Sequence, residues 1–396
     1  YLSLNLFCGY IYGSYCTMRI LFLHSSSDLY GASKILLAIN ELCTKKGHQV
    51  TVVLSEDGPL APKLKALGAT VVITDLGILR RQYLNPAGML NRLVANFKAY
   101  NTLIKLCKSQ KIDLIYSNTT GVIVGVFVAS KLGIRHLWHI HEIIEKPYLL
   151  FRILSRLINT KNNQAIAVSE AVKTHWTKYV APHKIDVLYN GVDYWLFENT
   201  ASDLRQSLNI SPDTILIGMM GRVHFWKGQD YFVNIAGEIF KTHKNVHFLI
   251  VGDAFAGYEY LHDNINQLIE KHGLQGHVTQ LPYRSDITNI YGALDVFILP
   301  SLLPDPAPAV VTEAMAAGLA VVATEQGGAV EMIGNTVSGL LIPINDAPAA
   351  AAIIEPLLTN ETYRKNMGAA AKKRMQEKFS RTQFNEQIMA CIEKQS

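Results

Sequence analysis

Two short stretches of the chain carry the residue types that handle a diphosphate. The first is GMMGRVHFWKGQD, residues 218–230, in which a strand runs into Gly221 and a loop holds Arg222 and Lys227 before Gly228. Glycine lets backbone approach a ligand closely, and an Arg and a Lys on one short loop can converge on one anion. The spacing is not that of a Walker loop, which argues against an ordinary NTPase. The second stretch is PSLLPDPAPAVVTEAMAAGLAVVAT, residues 300–324. It follows an apolar strand and opens a helix around Pro308, a residue suited to a first helical turn. The amides of Ala309, Val310 and Val311 are then expected to point outward, forming an anion site at a helix N-terminus. Asp305 precedes that helix, and Glu313 lies within it among Val, Ala and Met. A carboxylate with such neighbours is aimed at a specific partner, and a ribose diol suits it.

These loops need strands to hold them. From Met18 onward, short apolar runs alternate with longer segments of helical periodicity. Arg19–His24, Gln49–Leu54, 70–74, 112–117, Arg135–Ile140 and 164–168 read as strands, with helices such as 32–46 and 86–108 between them. The same grammar restarts with Ile215–Met220, Val246–Val251, 277–281, 295–299 and 319–323. Near-continuous apolar strands separated by helices mean parallel sheets covered on both faces. Two doubly wound α/β domains follow, and ligands of such sheets bind beyond the carboxyl ends of the strands. The expected division is 18–190, 191–375 and a last helix, 376–396, returning to the first domain, with the linker near 190–200. Residues 1–17 lack charge and read as a leader outside the fold.

Composition narrows the partners. The first 190 residues hold 22 Lys and Arg against 10 Asp and Glu, a balance of +12, while the remainder holds 15 against 22, or −7. A basic first half is expected to meet something anionic. No nucleic-acid-binding signature accompanies that charge, so nucleic acid is not the expected partner. The basic, apolar segments 89–111 and 146–161 could rest on an anionic membrane surface, or be ordinary amphipathic helices packed on their sheet. Five scattered cysteines form neither a disulfide framework nor a zinc motif, which implies a reducing cytoplasm, at the inner face of the membrane if that surface is used.

Gly-Arg-x4-Lys-Gly at 221–228, followed by Asp305-x7-Glu313-Ala-Met-Ala-x-Gly, resembles the retaining glycosyltransferases of family four, the group 1 glycosyl transferases. YNGVD (189–193), LIVGD (249–253), LDVFILPS (294–301) and GGAVEMI (327–333) support the match. The resemblance implies the GT-B fold, two Rossmann-like domains facing across a cleft. It also implies a nucleotide-sugar donor, UDP-hexose first and a GDP-sugar second, and a polysaccharide, lipid-linked or other glycan acceptor. Arg222 and Lys227 would hold the diphosphate, Glu313 the ribose hydroxyls and Asp305 the transferred sugar. Gly31, in the loop after the first strand, and His141, just past a strand end in WHIHE, would face the cleft from the first domain. Ser169-Glu170 matches another cleft position, for which a helix N-cap is an equal explanation. Backbone near Tyr283 would meet the base. No Asp-x-Asp occurs in the chain, so Arg222, Lys227 and helix amides would neutralise the leaving group without a metal, and no other cofactor is implied. Where the family loop reads Glu-Pro-Phe-Gly, this chain has Asp305-Pro306-Ala307-Pro308. That departure keeps two other readings open, a degenerate binding subunit and an epimerase or phosphorylase on the same scaffold.

Overall fold

The computed structural model describes residues 17–29, 31–79, 83, 85–198 and 201–394, so the proposed leader lies almost wholly outside the described residues. The first domain contains strands β1 (Arg19–His24), β2 (Gln49–Leu54), β3 (Thr70–Ile73), β4 (Leu114–Ser117), β5 (Arg135–Ile140), β6 (Asn163–Ala167) and β7 (Ile185–Val187). Between them run α1 (Gly31–Lys45), α2 (Leu60–Ala66), α3 (Pro86–Gln110), α4 (Val124–Leu132), α5 (Tyr148–Ile158) and α6 (Glu170–Trp176). The sheet order is β3-β2-β1-β4-β5-β6-β7, parallel throughout.

The second domain begins with α7 (Leu204–Ser207), β8 (Ile215–Met220), α8 (Gln229–Thr242), β9 (Val246–Val251), α9 (Tyr260–Lys271) and β10 (Val278–Leu281). It continues with α10 (Ile287–Ala293), β11 (Val296–Leu299), α11 (Ala309–Ala316), β12 (Ala320–Thr324), α12 (Ala329–Met332) and β13 (Leu340–Ile342). Helices α13 (Ala347–Thr359), α14 (Glu361–Lys378) and α15 (Arg381–Glu393) complete the chain. Its sheet is also parallel, in the order β10-β9-β8-β11-β12-β13. The strand order reverses between β1 and β4 in one sheet and between β8 and β11 in the other. Those crevices are where doubly wound sheets bind ligands. Strands β7 and β13 have three residues each, too few to show a period in the sequence.

The strands are apolar because both faces are covered. Ile20, Phe22, Leu36, Ile39 and Val52 form one core of the first domain, and Leu21, Leu23, Leu103 and Val128 another. Helix α15 leaves the second domain and joins the former core through Phe384, Ile388, Met389 and Ile392. Arg135 of β5 caps its end by donating to the carbonyls of Cys391, Ile392 and Lys394. Helix α5, read as a membrane candidate, buries Phe151, Leu154 and Ile158 beside Trp138 and Trp176. The same helix leaves Tyr148, Leu149 and Ile153 exposed, so one side of it is core and the other is open.

Candidate active site

The carboxyl end of β8 holds the two cations. Gly228 has φ +78°, and a Cβ there would lie 1.9 Å from the Pro300 carbonyl oxygen. Only glycine allows the loop after β8 to press against the end of β11 in this way. That approach delivers Lys227 to Asp305, and the two side chains form an ion pair with relative exposures of 18% and 10%. Lys227 Nζ also lies 4.2 Å from the centroid of the Trp226 ring. The Arg222 guanidinium stacks on Phe255, 3.6 Å from its centroid. Gln229, buried, fastens the loop by donating to Arg222 O at 3.0 Å and accepting from His224 N at 3.4 Å. Neither Phe255 nor Gln229 was anticipated. Phe255 stands on the loop after β9, too distant in sequence to signal a partnership with Arg222.

Beyond β11, α11 starts at Ala309, with Pro308 as its N-cap residue rather than part of the first turn. The Val311 N–H returns to Pro308 O at 3.0 Å. The expected trio of outward amides is therefore a pair, because a helix leaves its first donors, here Ala309 and Val310, without an intrahelical acceptor. Glu313, one turn on, receives the Tyr291 hydroxyl at 2.9 Å on Oε2. Burial raises the Glu313 pKa, while the Tyr291 hydrogen bond and the charge of Lys34 oppose the rise. Lys34 belongs to α1 of the first domain, so its field reaches Glu313 across the cleft. Tyr283, two residues past β10, is 59% exposed, and its N–H is bound to Asp253 Oδ2 at 2.9 Å. Its neighbour Arg284 is paired with Asp286.

The first domain offers a shelf of neutral groups. Gly31, with φ +25°, is the first residue of α1. The preceding loop is held by His24 Nε2 to Ser33 Oγ at 2.9 Å and by Ser33 Oγ donating to Asp28 Oδ1 at 2.9 Å. Asn118, buried at the end of β4, donates to Ala32 O at 2.9 Å. Its Oδ1 is thereby turned to His141 Nε2 at 3.4 Å, which makes His141 Nε2 the protonated nitrogen. Burial, then the neighbouring His139 and His24, push the His141 pKa well below 6.5. Glu142 accepts from Thr120 Oγ1 at 3.0 Å and from the His141 N–H at 3.1 Å, yet burial outweighs these bonds and lifts its pKa to about 7. Ser169 is an N-cap, accepting from Val172 N at 3.1 Å, so the capping alternative accounts for it.

The structure thus brings Lys227 and Asp305 into contact and joins Glu313 to Tyr291 under the field of Lys34. His141 and Gly31 stand at the carboxyl edge of the other sheet, and the hydrogen bonds of His141 remain within the first domain. A pair of cations, two helix amides and a shielded carboxylate at one strand crossover suit a diphosphate joined to a diol.

Comparison with known proteins agrees. Residues 30–195 match the family described as Glycosyltransferase Family 4, and residues 201–374 match Glycosyl transferases group 1. The UDP-Gal:alpha-D-GlcNAc-diphosphoundecaprenol alpha-1,3-galactosyltransferase of Escherichia coli is 28% identical over 342 residues, covering 80% of this chain and 82% of that protein. An uncharacterized glycosyltransferase of Methanocaldococcus jannaschii is 30% identical over 226 residues, 55% of this chain and 56% of the relative. The match likewise spans about half the length of several other curated relatives. The crystal structure of Anabaena HepE in complex with UDP superimposes with a TM-score of 0.83 at 26% identity, covering 95% of this chain and 99% of that one.

Proposed function

Because the chain belongs to the group 1 glycosyltransferases, with a family 4 first domain and the GT-B arrangement of two Rossmann-like domains, we propose that it moves a hexose from UDP to a glycan acceptor with retention of anomeric configuration. The observation that carries this reading is the meeting of Lys227, Asp305 and the N-terminus of α11 at the β8–β11 crossover. In the donor complex Arg222, Lys227 and the amides of Ala309 and Val310 hold the two phosphates and stabilise the leaving group without a metal. Glu313 takes the ribose hydroxyls, and backbone near Tyr283 takes the base. Lys227 then serves two anions in turn, releasing Asp305 toward the sugar hydroxyls as the diphosphate arrives. UDP is preferred over GDP because HepE is seen with UDP and with UDP-glucose, and the E. coli relative is named for UDP-galactose.

A panel of UDP, GDP and ADP with their hexose conjugates tests this directly. UDP is expected to raise the thermal midpoint, since a ligand at 100 times its Kd adds about 2.7 kcal/mol to the native state. NMR of the product from the preferred donor is expected to show the donor's own anomeric configuration. A midpoint unmoved by every nucleotide would reject the reading.

The acceptor we take to be a polysaccharide or lipid-linked glycan, met at the inner, cytoplasmic face of an anionic membrane. Among the described residues no helix is long and apolar enough to cross one. Helix α3 supports the membrane contact. Its buried residues are Ala99, Leu103 and Cys107, so its first half stands clear of the core. That half displays Met89, Leu90, Leu93, Val94 and Phe97 at 48–69% exposure, and α3 contains Arg92, Lys98, Lys105 and Lys108 with no acidic residue. A basic helix with an exposed apolar stripe fits an anionic bilayer. Flotation at low salt should carry the chain with phosphatidylglycerol vesicles but not with phosphatidylcholine, and L93E/F97E should abolish it. Failure of the native chain to float would remove the membrane from the reading.

A further inference from the structure

Glu331 lies in the GGAVEMI stretch of the second domain, and the transferase reading gives it no task. Its carboxylate nevertheless faces the first domain. Oε2 accepts the Glu170 N–H at 2.8 Å and Oε1 the Ala171 N–H at 2.9 Å. These are the first two amides of α6, which no helix can satisfy from within. Ser169 takes the third, so the cap of α6 is assembled from both domains. Glu331 Oε2 also receives the hydroxyl of Tyr189 at 2.7 Å. Tyr189 lies in the connecting segment, and its ring packs edge-on against Phe379 at 5.0 Å. There the two crossings of the chain meet, with Val192 N bound to Phe379 O at 2.9 Å and Arg381 N to Val192 O at 3.0 Å.

The other side of Glu331 leads to the site. The Gly328 N–H, at the start of α12, donates to Asp305 O at 2.8 Å. A Cβ at Gly327 would fall 2.4 Å from Asp305 O, and one at Gly328 2.3 Å from Pro306 O, so the two backbones lie in direct contact. Arg374 of α14 fixes the far end of α12 through the carbonyls of Glu331 and Met332, each at 2.8 Å. A continuous chain of rigid contacts therefore runs from Asp305 through α12 and Glu331 to α6. Helix α6 follows β6, the neighbour of β5, and His141 directly follows the last residue of β5.

We propose that Glu331 is a positioning residue, the pivot that sets the angle between the domains and so the separation of Asp305 and Lys227 from the His141 shelf. The hydrogen bonds of its carboxylate go to the Glu170 and Ala171 amides and the Tyr189 hydroxyl. The proposal rests on the transferase reading for its consequence, though its geometry stands apart from it. Misplacing a reacting group by about 1 Å can cost a hundredfold in rate, so a loosened pivot should act on turnover.

X-ray scattering by the ligand-free chain, UDP titration and turnover of UDP-glucose together test it. In Glu331→Ala the scattering is expected to show a larger, broader distribution of domain separations. Turnover should fall about tenfold or more, while UDP affinity, set within the second domain, changes by less than about threefold. Glu331→Gln keeps the side-chain length and one acceptor oxygen and should recover part of both losses. Tyr189→Phe removes only the hydroxyl contact and should widen the distribution less, which keeps the test open if Glu331→Ala fails to fold. Native scattering and turnover in Glu331→Ala would overturn the proposal, as would a loss of UDP affinity equal to the loss of turnover. If the native chain ignores UDP while the variant still widens, the pivot stands and the transferase reading fails.

Discussion

Replacement of Lys227 by Ala is expected to weaken UDP binding by about 10- to 100-fold and, without any ligand, to lower the thermal midpoint of the protein. The two effects have different causes. A hydrogen bond to a charged phosphate contributes about 1.5–3 kcal/mol, and each 1.4 kcal/mol is a factor of ten in affinity. The loss of stability comes from the partner left behind. The Asp305 side chain is only 10% exposed and pairs with Lys227, so the variant leaves a shielded carboxylate without that cation. Breaking a buried pair from one side costs up to about 3–5 kcal/mol, and the remaining exposure of both groups places the expected loss below that range. Adding Asp305→Asn should restore the midpoint and leave UDP binding weak, because the amide needs no cation whereas the diphosphate still lacks one. Arg222→Ala should lose affinity by a similar factor. Calorimetric titration and thermal denaturation of the four proteins give both quantities. Unchanged UDP affinity in Lys227→Ala would remove this loop from the donor site.

What could be read in advance depended on how locally each feature is encoded. The long apolar strands announce themselves because parallel strands buried on both faces leave few polar positions. The Lys227 loop and the stretch from Asp305 to Glu313 are legible because the chemistry of each sits within a dozen residues. Glycine at 228 is a local demand of backbone approach, visible as a residue type even before its neighbour Pro300 is known. The features that stayed hidden are made by packing at long range. The charge of Lys34 bears on Glu313 only through the fold, since the two lie on helices far apart in the sequence. The stack of Phe255 on Arg222 joins two loops of neighbouring strands. Glu331, an acidic residue on a four-residue helix, resembles any solvated carboxylate until the α6 amides are brought against it. Val311 was misjudged for a local reason, since the sequence does not say whether a helix opens with a tight turn that uses its third amide.

His141→Ala should reduce turnover by about 100-fold while leaving UDP affinity within about threefold, and the native rate should not report titration of His141 itself. Losing one preorganised hydrogen-bonding group in a transition state costs on the order of 100- to 1,000-fold in rate. The neutral imidazole directs its one N–H at Asn118 Oδ1, which leaves Nδ1 to accept from a sugar hydroxyl. Its pKa lies well below 6.5 through burial and the adjacent His139 and His24, so across pH 6–8 it stays neutral. Glu142, beside it, has its pKa lifted to about 7 by burial and so changes charge in this window. Any slope in turnover near pH 7 should therefore vanish in Glu142→Gln and persist in variants elsewhere. Stability follows with opposite signs. The unfolded Glu142 ionises near 4.5, so the folded state loses relative stability as pH rises from there through about 7. The depressed His141, neutral when folded, favours the native state above 6.5 and ceases to do so as pH falls. Melting between pH 5 and 8 should thus show Glu142→Gln gaining on the native protein at the alkaline end. Equal loss of turnover and UDP binding in His141→Ala would place the ring in nucleotide recognition instead. A pH slope that survives Glu142→Gln would mean that the proton belongs to another group in the cleft.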